Sequence, residues 1–463
     1  MIAIASEFSS CEFNDLRLTK RAQKLSEQIA NNPDNSIHAA CGSAADSKAA
    51  YRFFDNNNIK PELILQGHAN RVAERIKDYE NVLVLHDTTD LIYTQFPSMT
   101  ELGERQRTKG FESGIKALHL HNSLATSEVG VPLGLLKQTY FTHDDYSADR
   151  DPNTKNVPGA CKNLPIESKE SFRWINHLMA TDKQVKDSGA EAIHVGDREC
   201  DIYEFFQIAD EINSRFVVRS CSNRKIQVGR TTRDTLTVQS CLDNARSVAE
   251  VKVKKDGQTH ICNVKAISVI LARPHRHPGA QSIELTNLEV NLVEVRCQDR
   301  LIGSPHWRLL TNLDIENTKD ILRVINIYKS RWAIECYHRV LKSGFGVEKS
   351  RLGTRLRLEN MASIMSIVAW YIFWLYNFGR AIPSAAADAI FSEQAIEILK
   401  ISAKKLKVPL QGKLNVREAI LILARLGGFP GRKSDGEPGM ICIWRGWNKL
   451  QERIEFMEEL TYG

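Results

Sequence analysis

Four residues between positions 328 and 342 have types and spacing suited to binding a polyanion. They are Tyr328, Arg331, Glu335 and Lys342, at offsets of 0, 3, 7 and 14. On one α-helix, which turns by about 100° per residue, these positions project within an arc of roughly 60°. One face of the predicted helix would then present a carboxylate flanked by cations.

The positive charge of the chain is concentrated around these residues. The 463-residue chain has a formal net charge of +6 at pH 7. Residues 321–357 contain nine Lys or Arg and two acids, so this segment carries +7 and the rest of the chain about −1. Focused charge of this kind indicates an anionic partner such as nucleic acid. A solvated basic surface is the alternative, but the embedded Glu335, Tyr328 and Trp332 argue against it.

Two further acids follow apolar runs that are typical of buried strands. Asp87 ends the run VLVLH, and Asp197 follows a strand predicted over 191–196. Mg²⁺ and Mn²⁺ bind oxygen ligands, usually one or two carboxylates with phosphate oxygens and water. If Asp87, Asp197 and Glu335 converge, they could hold two such ions about 4 Å apart for phosphodiester chemistry. Each Asp alone could equally be an ordinary turn or helix cap.

The predicted elements favour an α/β fold. Between residues 82 and 220 the order β-β-β-α-β-α-β predicts a mixed sheet with helices on its faces. Residues 222–311 alternate strand-like segments with turns, which predicts a β-rich insertion. A long helix is then expected to start near Thr318 as its N-cap and to stop at Gly344.

An uncharged stretch over residues 360–379 is long enough to cross a membrane. Its Asn and Ser residues and the lack of a second such stretch favour a buried core helix instead. The N-terminus lacks the pattern of a signal peptide. The ten cysteines show no CxxC pair and no Cys/His set at zinc spacing, so we expect a reducing cytosol and no structural zinc site.

Several motifs are similar to those of a known family. They are HDTT at 86–89, GDRECDIY at 196–203, FVVRS at 216–220 and Y-x2-R-x3-E-x6-K at 328–342, with AAYRFF near residue 50 and ARLGGF near 425. Together they closely resemble the IS-four family of bacterial DDE transposases, and the likeness runs nearly end to end. His86 before the first Asp and Cys336 after the Glu depart from the family pattern, but neither removes a required ligand.

This resemblance implies an RNase H-like catalytic core that is interrupted by the β-rich insertion. It implies that Asp87, Asp197 and Glu335 are the catalytic residues and the ligands of two Mg²⁺ ions, with Mn²⁺ as a substitute. Phosphate contacts near the cut would come from Tyr328, Arg331, Lys342 and Arg219. Trp307 would be the aromatic platform for an unstacked base, although a strand Trp is otherwise usually a core residue.

The resemblance also implies a reaction sequence and its partners. Water nicks one strand at each terminal inverted repeat, the freed 3′-OH closes a hairpin, water reopens it, and the 3′-OH attacks target DNA. The partners would be double-stranded DNA, as transposon ends and target, and a second copy of the chain in a synaptic homodimer. No membrane is involved, and the expected location is the bacterial cytoplasm, in association with the nucleoid.

The expected domain organisation has five segments. They are a helical DNA-end-binding domain (1–70), the first part of the catalytic core (71–221), the β-rich insertion (222–311), the second part of the core with the Glu-bearing helix (312–379) and a helical dimerisation domain (380–463).

Both helical ends carry patterned surfaces. In the N-terminal domain one helical face presents Arg17, Lys20, Arg21 and Lys24, a candidate DNA contact, although solvation alone would also explain such a face. Near the C-terminus a heptad-like stripe comprises Trp447, Leu450, Ile454 and Met457. The stripe fits dimerisation by the resemblance, and it equally fits packing within its own domain.

Two rival functions stay open at this point. A related RNase H-like nuclease or junction resolvase would share the metal chemistry but would form no hairpin. A catalytically silent DNA-binding inhibitor of transposition would not need the three acids, which are all present in this sequence.

Overall fold

A computed structural model describes residues 4–32, 35–96, 99, 101–104, 114–146, 164–227, 236–255, 257–275, 282–298, 304–410, 412–432 and 434–462. Twelve strands within these ranges belong to one mixed sheet. The strands are β1 (Asn81–Ile92), β2 (Gly103–Glu104), β3 (Lys116–Thr126), β4 (Pro132–Phe141), β5 (Glu191–Gly196), β6 (Arg215–Arg219), β7 (Lys225–Ile226), β8 (Leu236–Thr237), β9 (Ser247–Lys255), β10 (Gln258–Leu271), β11 (Leu288–Cys297) and β12 (His306–Thr311).

The helices lie around this sheet and form both ends of the chain. They are α1 (Leu16–Asn31), α2 (Ile37–Ala40), α3 (Ala44–Phe54), α4 (Pro61–Ile76), α5 (Phe172–Asp187), α6 (Tyr203–Glu211), α7 (Val238–Asn244), α8 (Thr318–Ser330), α9 (Trp332–Arg339), α10 (Arg355–Ala381), α11 (Glu393–Lys405), α12 (Val416–Leu426) and α13 (Met440–Tyr462). The mixed sheet, the β-rich insertion and the helical ends that the sequence predicts are all present.

Five strands at the centre of the sheet have the order β4-β3-β1-β5-β6. β1, β3 and β4 pair antiparallel, as expected for successive strands, whereas β1, β5 and β6 run parallel. Parallel strands need long crossovers, and α5 and α6 provide them. The inner strands are buried on both faces because helices cover both, so β3 is buried along almost its entire length.

β1 is longer than the sequence predicts. It was expected to end at Asp87, but it continues to Ile92 because residues 88–92 pair with β3. Its parallel pairing with β5 does stop earlier, at Leu85 opposite Val195. Asp87 therefore lies inside a strand, but beyond the end of the parallel ladder.

The insertion continues the central sheet. β12 pairs antiparallel with β6, and β11 and β10 add to it in turn, while β9 pairs with the outer side of β10. A second apolar cluster beneath these strands includes Phe205, Phe206 and Phe216. The strand pairing makes the insertion and the core one continuous sheet.

The helix predicted from Thr318 to Gly344 has the expected bounds, but it is not one regular α-helix. α8 ends at Ser330, α9 starts at Trp332, and a π-helical turn follows over Val340–Gly344. The N-cap is Asn317, whose side chain accepts from the backbone of Lys319 and Asp320. Arg331 keeps helical backbone angles, but the helix is tightened there by i→i−3 hydrogen bonds and widened after Arg339, so a constant 100° step does not hold as far as Lys342.

The uncharged stretch forms α10 and lies in the interior. Within its most apolar window 83% of the residues are buried, which confirms the prediction of a core helix. α10 packs against α4 and β4, and the indole of Trp370 donates to the carbonyl of Pro132 at 3.2 Å.

The C-terminal helices pack closely through the motif ARLGGF. α12 and α13 approach so tightly that a Cβ on Gly446 would lie 1.7 Å from the Leu423 carbonyl oxygen. A Cβ on Gly427 would lie 1.8 Å from the Cys442 carbonyl oxygen. These glycines therefore allow direct backbone contact between the two helices.

Candidate active site

Asp87 and Asp197 lie close to each other just past the parallel ladder between β1 and β5. Each follows the last paired residues, Leu85 and Val195, by two positions, and the charge of Asp87 acts on Asp197. Asp197 also caps the short turn after β5, where its Oδ1 accepts from the Glu199 backbone N–H at 2.8 Å. The strand pairing thus joins two of the three predicted acids.

Their proximity has an electrostatic cost. Burial raises the pKa of Asp197, and the nearby charge of Asp87 raises it further. The Glu199 N–H and the Arg331 guanidinium offset only part of that effect. Two close carboxylates that disfavour joint ionisation are suited to an added positive charge.

Arg331 joins the third acid to this pair. Its Nη2 donates to Glu335 Oε1, and its Nη1 lies 4.0 Å from Asp87 Oδ1. Burial works against the guanidinium charge, but Tyr328, Asp87 and Glu335 raise the pKa of Arg331 overall. Glu335 is therefore held beside Asp87 through a shared cation.

His338 also belongs to the site, and sequence reasoning missed it. Its Nδ1 lies 3.6 Å from Asp87 Oδ2, and Asn122 Nδ2 donates to its Nε2 at 3.0 Å. Gln138 in turn donates to Asn122 Oδ1 at 2.8 Å, which fixes the orientation of that amide. His338 Nε2 is therefore an acceptor, and its Nδ1 proton points toward Asp87. The sequence feature that could have indicated His338 is its position three residues after Glu335, which places both side chains on the same helical face.

The two aromatic residues predicted to contact DNA, Tyr328 and Trp307, are largely buried in the protein. Tyr328 is 5% exposed, and its ring lies 5.3 Å from that of Trp307 in an edge-on arrangement. Trp307 is half-buried on β12, opposite Val295 of β11. Both residues are thus near Arg331, but they pack against each other.

Trp332 is an exposed aromatic directly after Arg331. Its side chain is 54% exposed, and the Arg339 guanidinium lies 6.0 Å from its ring. The sequence had marked Trp332 only as unusual among basic residues. The structure identifies it as an open aromatic surface beside Glu335.

Lys342 and Arg219 lie at the margins of the site. Lys342 Nζ donates to the Asp90 carbonyl at 2.8 Å and lies 3.4 Å from Glu348. It lines a cavity of about 470 Å³ together with Thr88 and Arg173. Arg219 closes β6 and donates to the His306 carbonyl at 2.9 Å. The structure gathers the acids, Arg331 and His338 more closely than these outer cations.

Comparison with known protein families agrees with this geometry. Residues 1–59 match a transposase DNA-binding domain, residues 207–371 a transposase DDE domain, and residues 367–463 a Tn5 transposase dimerisation domain. These three matches are consistent with a Tn5/IS4-like transposase. The DDE match includes Glu335 but begins after Asp87 and Asp197. The evidence that these two acids belong to the site is therefore structural and does not come from the match.

DDE transposase domains generally use divalent metal ions, and the donor types of three acids in this chain suit such ions, although Arg331 lies between Asp87 and Glu335. Asp87, Asp197 and Glu335 offer carboxylate oxygens, the donors that hard divalent cations prefer. The raised pKa of Asp197 indicates local excess of negative charge. Arg331 now balances part of that charge in the place where a cation would act.

In the transposase DNA-binding domain the predicted basic face lies on α1. Arg21 Nη1 and Lys24 Nζ both contact Asp46 at 2.9 Å, and Arg17 pairs with Asp15. Lys20 is exposed on the same helix. The face exists, but acids already balance three of its four cations.

In the dimerisation domain the predicted stripe on α13 divides into two parts. Trp447 and Leu450 are buried within their own chain, and the Trp447 ring lies 5.6 Å from that of Tyr371. Met457 is 38% exposed, and its neighbour Phe456 is 59% exposed. The matched domains support DNA binding and homodimer formation, and internal packing accounts for the first part of the stripe.

Proposed function

We propose that the protein is a cut-and-paste DNA transposase of the IS-four family, most similar to the transposase of the composite kanamycin-resistance transposon. The observation that carries this proposal is that Arg331 contacts both Asp87 and Glu335, next to Asp197, whose pKa is raised by the charge of Asp87. We assign these three acids to catalysis and to the binding of two Mg²⁺ ions, for which Mn²⁺ substitutes. When bound, the ions activate the attacking oxygen and stabilise the leaving oxygen.

The strand order and directions support an RNase H-like core. The domains of the whole protein would be the segments that the sequence predicts, 1–70, 71–221, 222–311, 312–379 and 380–463. The protein would act in the bacterial cytoplasm, associated with the nucleoid, on paired transposon ends and target DNA. Each protomer of a synaptic dimer would cut the end that the other protomer holds.

Arg331 has two successive roles in this proposal. Before DNA and metal bind, it neutralises Asp87 and Glu335. Once those carboxylates have other partners, its guanidinium is free to bind a phosphate, for which its planar donors are well suited. Lys342 and Arg219 would contact phosphates farther along the DNA strand. The ring of Tyr328 would hold Arg331 in place, since its centroid lies 5.9 Å from the guanidinium carbon.

Hairpin closure requires a sharply bent DNA end. Bending is easier when a base leaves the stack and finds an aromatic surface. Trp307 is our sequence-based candidate for this role, and the exposure of Trp332 makes it a second candidate next to Glu335. Each indole would stack with a different base, or the two would stack with the same base in successive steps.

A cleavage assay tests the proposal. The protein is incubated with labelled inverted-repeat DNA and Mg²⁺, and the products are resolved on a denaturing gel. Hairpin-ended DNA is the expected product, because a 3′-OH held beside these acids can attack the opposite strand. Nicked or resolved DNA without hairpins would favour the nuclease alternative, and binding without any cleavage would favour the inhibitor.

A further inference from the structure

Three histidines from separate elements meet on the face of the sheet opposite to Asp87. They are His86 on β1, His121 on β3 and His177 on α5, and all three are fully buried. One nitrogen of each ring lies within 4.8 Å of those of the other two. Successive side chains of a strand point to opposite faces, so His86 faces α5 whereas Asp87 faces α9.

Each of these rings has one nitrogen fixed by a polar neighbour. The pairs are His121 Nδ1 with Thr88 Oγ1 at 2.8 Å, His86 Nε2 with His194 Nδ1 at 2.9 Å and His177 Nε2 with Thr139 Oγ1 at 2.9 Å. Metal-bound histidines almost always have such a partner on the second nitrogen, because it fixes the tautomer and orients the ring. Asp182 lies 3.6 Å from His194 and extends one of these links to a carboxylate.

Two of the three remaining nitrogens contact one hydroxyl group. His86 Nδ1 and His177 Nδ1 both contact Ser123 Oγ, at 2.9 and 2.6 Å. His121 Nε2 is buried and has no hydrogen-bond partner among the residues that the structure describes. A buried polar atom without a partner is costly, and a bound ion is one way to satisfy it.

The chemistry of this cluster differs from that of the carboxylate site. Burial lowers the pKa of His121 and of His177 well below the usual range, so both rings are neutral near pH 7. Neutral imidazoles bind Zn²⁺ and similar ions, whereas Mg²⁺ prefers oxygen. Zn–N bonds are about 2.0–2.1 Å long, so the rings would turn inward around Ser123 when the ion binds.

We propose that His86, His121 and His177 form a structural binding site for a transition-metal ion of the Zn²⁺ class, with Ser123 Oγ at the fourth position. A bound ion would join β1, β3 and α5 directly behind the strand segment that carries Asp87. The site goes beyond the proposed function and does not depend on it.

The test uses full-length protein that has been freed of metal with a chelator and returned to buffer with excess Mg²⁺. Co²⁺ is then added as a spectroscopic probe for Zn²⁺, and the visible absorption of tetrahedral Co²⁺ is followed. We expect stoichiometric binding by the wild type and by the variant Asp197→Asn/Glu335→Gln. His121→Asn and His177→Asn should abolish the signal, and Thr88→Val should weaken binding by about tenfold or more.

His143→Asn is the matched control, since His143 is half-buried nearby but outside the cluster. It should bind Co²⁺ like the wild type. Absence of the tetrahedral spectrum in the wild type, or its persistence in His121→Asn, would overturn the proposal. If the histidine variants do not fold, heat unfolding of the wild type decides: Zn²⁺ must raise the Tm over that in chelator, and equal values reject the site.

Discussion

Asp87 and Asp197 each lie two residues past Leu85 and Val195, the last pair of the parallel ladder between β1 and β5. This relationship depends on backbone register rather than on flexible side chains. The third acid, Glu335, reaches the pair through Arg331. Two acids are therefore positioned by the sheet, and one by a helix that begins immediately after the bridging arginine.

Glu335→Ala should separate binding from cleavage. Loss of one carboxylate removes a metal ligand but leaves the phosphate contacts, so end binding should persist in a gel-shift assay. Nicking should fall by about 1000-fold or more, corresponding to roughly 4 kcal/mol of transition-state stabilisation. Glu191→Ala, at the exposed start of β5, is the control and should cut normally. Retained cleavage in Glu335→Ala would remove Glu335 from the mechanism.

Substitutions of the two indoles should affect hairpin formation more than nicking. Base stacking on an aromatic side chain contributes about 1–3 kcal/mol, so Trp307→Ala and Trp332→Ala should each lower hairpin yield by about 5- to 100-fold. The ratio of hairpin to nicked product on a denaturing gel measures this effect.

Trp307→Phe provides the matched comparison, because it keeps an aromatic ring against Tyr328. Hairpin yield unchanged in Trp307→Ala would return Trp307 to a packing role. An unchanged yield in Trp332→Ala would exclude the exposed indole as the platform.

Much of the fold could be predicted from local patterns. The order of strands and helices over residues 82–220 and the strand at 191–196 agree with the structure, and the long uncharged stretch forms the core helix α10. These segments are mostly buried, so their composition reflects their environment.

The parts that sequence reasoning missed depend on tertiary contacts. The polar residues 88–90 gave no strand signal, yet pairing with β3 extends β1 through them. Nothing in the local sequence revealed the tightening of the helix at Arg331, whose guanidinium lies between two acids from different elements. The cluster of His86, His121 and His177 becomes visible only when distant segments meet, and the spacing of His338 from Glu335 does not by itself show its contact with Asp87.

His338→Asn should weaken catalysis without removing a ligand. The Nδ1–H of His338 points toward Asp87, and loss of such an orienting partner typically costs 10- to 100-fold in metal affinity or activity. Nicking rate should be measured as a function of Mg²⁺ concentration, and the half-saturating concentration should rise. His260→Asn on β10 should leave the curve unchanged. A normal curve for His338→Asn would limit His338 to packing.

Lys20→Ala should weaken binding to all DNA sequences alike. Each phosphate contact that is lost reduces the slope of log K against log salt by about 0.9. Fluorescence anisotropy with labelled end DNA over a range of salt concentrations measures that slope. Lys183→Ala, on exposed α5 surface, is the control for a charge change outside the DNA-binding domain. If the two variants behave alike, Lys20 contacts no phosphate.

Glu7 should make stability depend on acid pH. Arg75 contacts both of its carboxylate oxygens, at 2.8 and 3.0 Å, and His68 Nδ1 donates to Oε2 at 2.6 Å. His68 Nε2 accepts from the Leu135 N–H, and burial lowers the pKa of His68, so this histidine is neutral. Although burial opposes ionisation of Glu7, these partners lower its pKa from 4.5 to about 2.

A lowered acid pKa stabilises the folded state above the unfolded pKa, and this contribution is lost as the pH falls through the folded pKa. The stabilisation by Glu7 should thus be complete above pH 4.5 and disappear toward pH 2. Urea unfolding midpoints at several pH values measure it. Glu7→Gln should be less stable at pH 7, because Arg75 loses its counter-charge, and its midpoint should change less between pH 4.5 and 2. The same acid dependence in Glu7→Gln and in the wild type would show that other carboxylates control it.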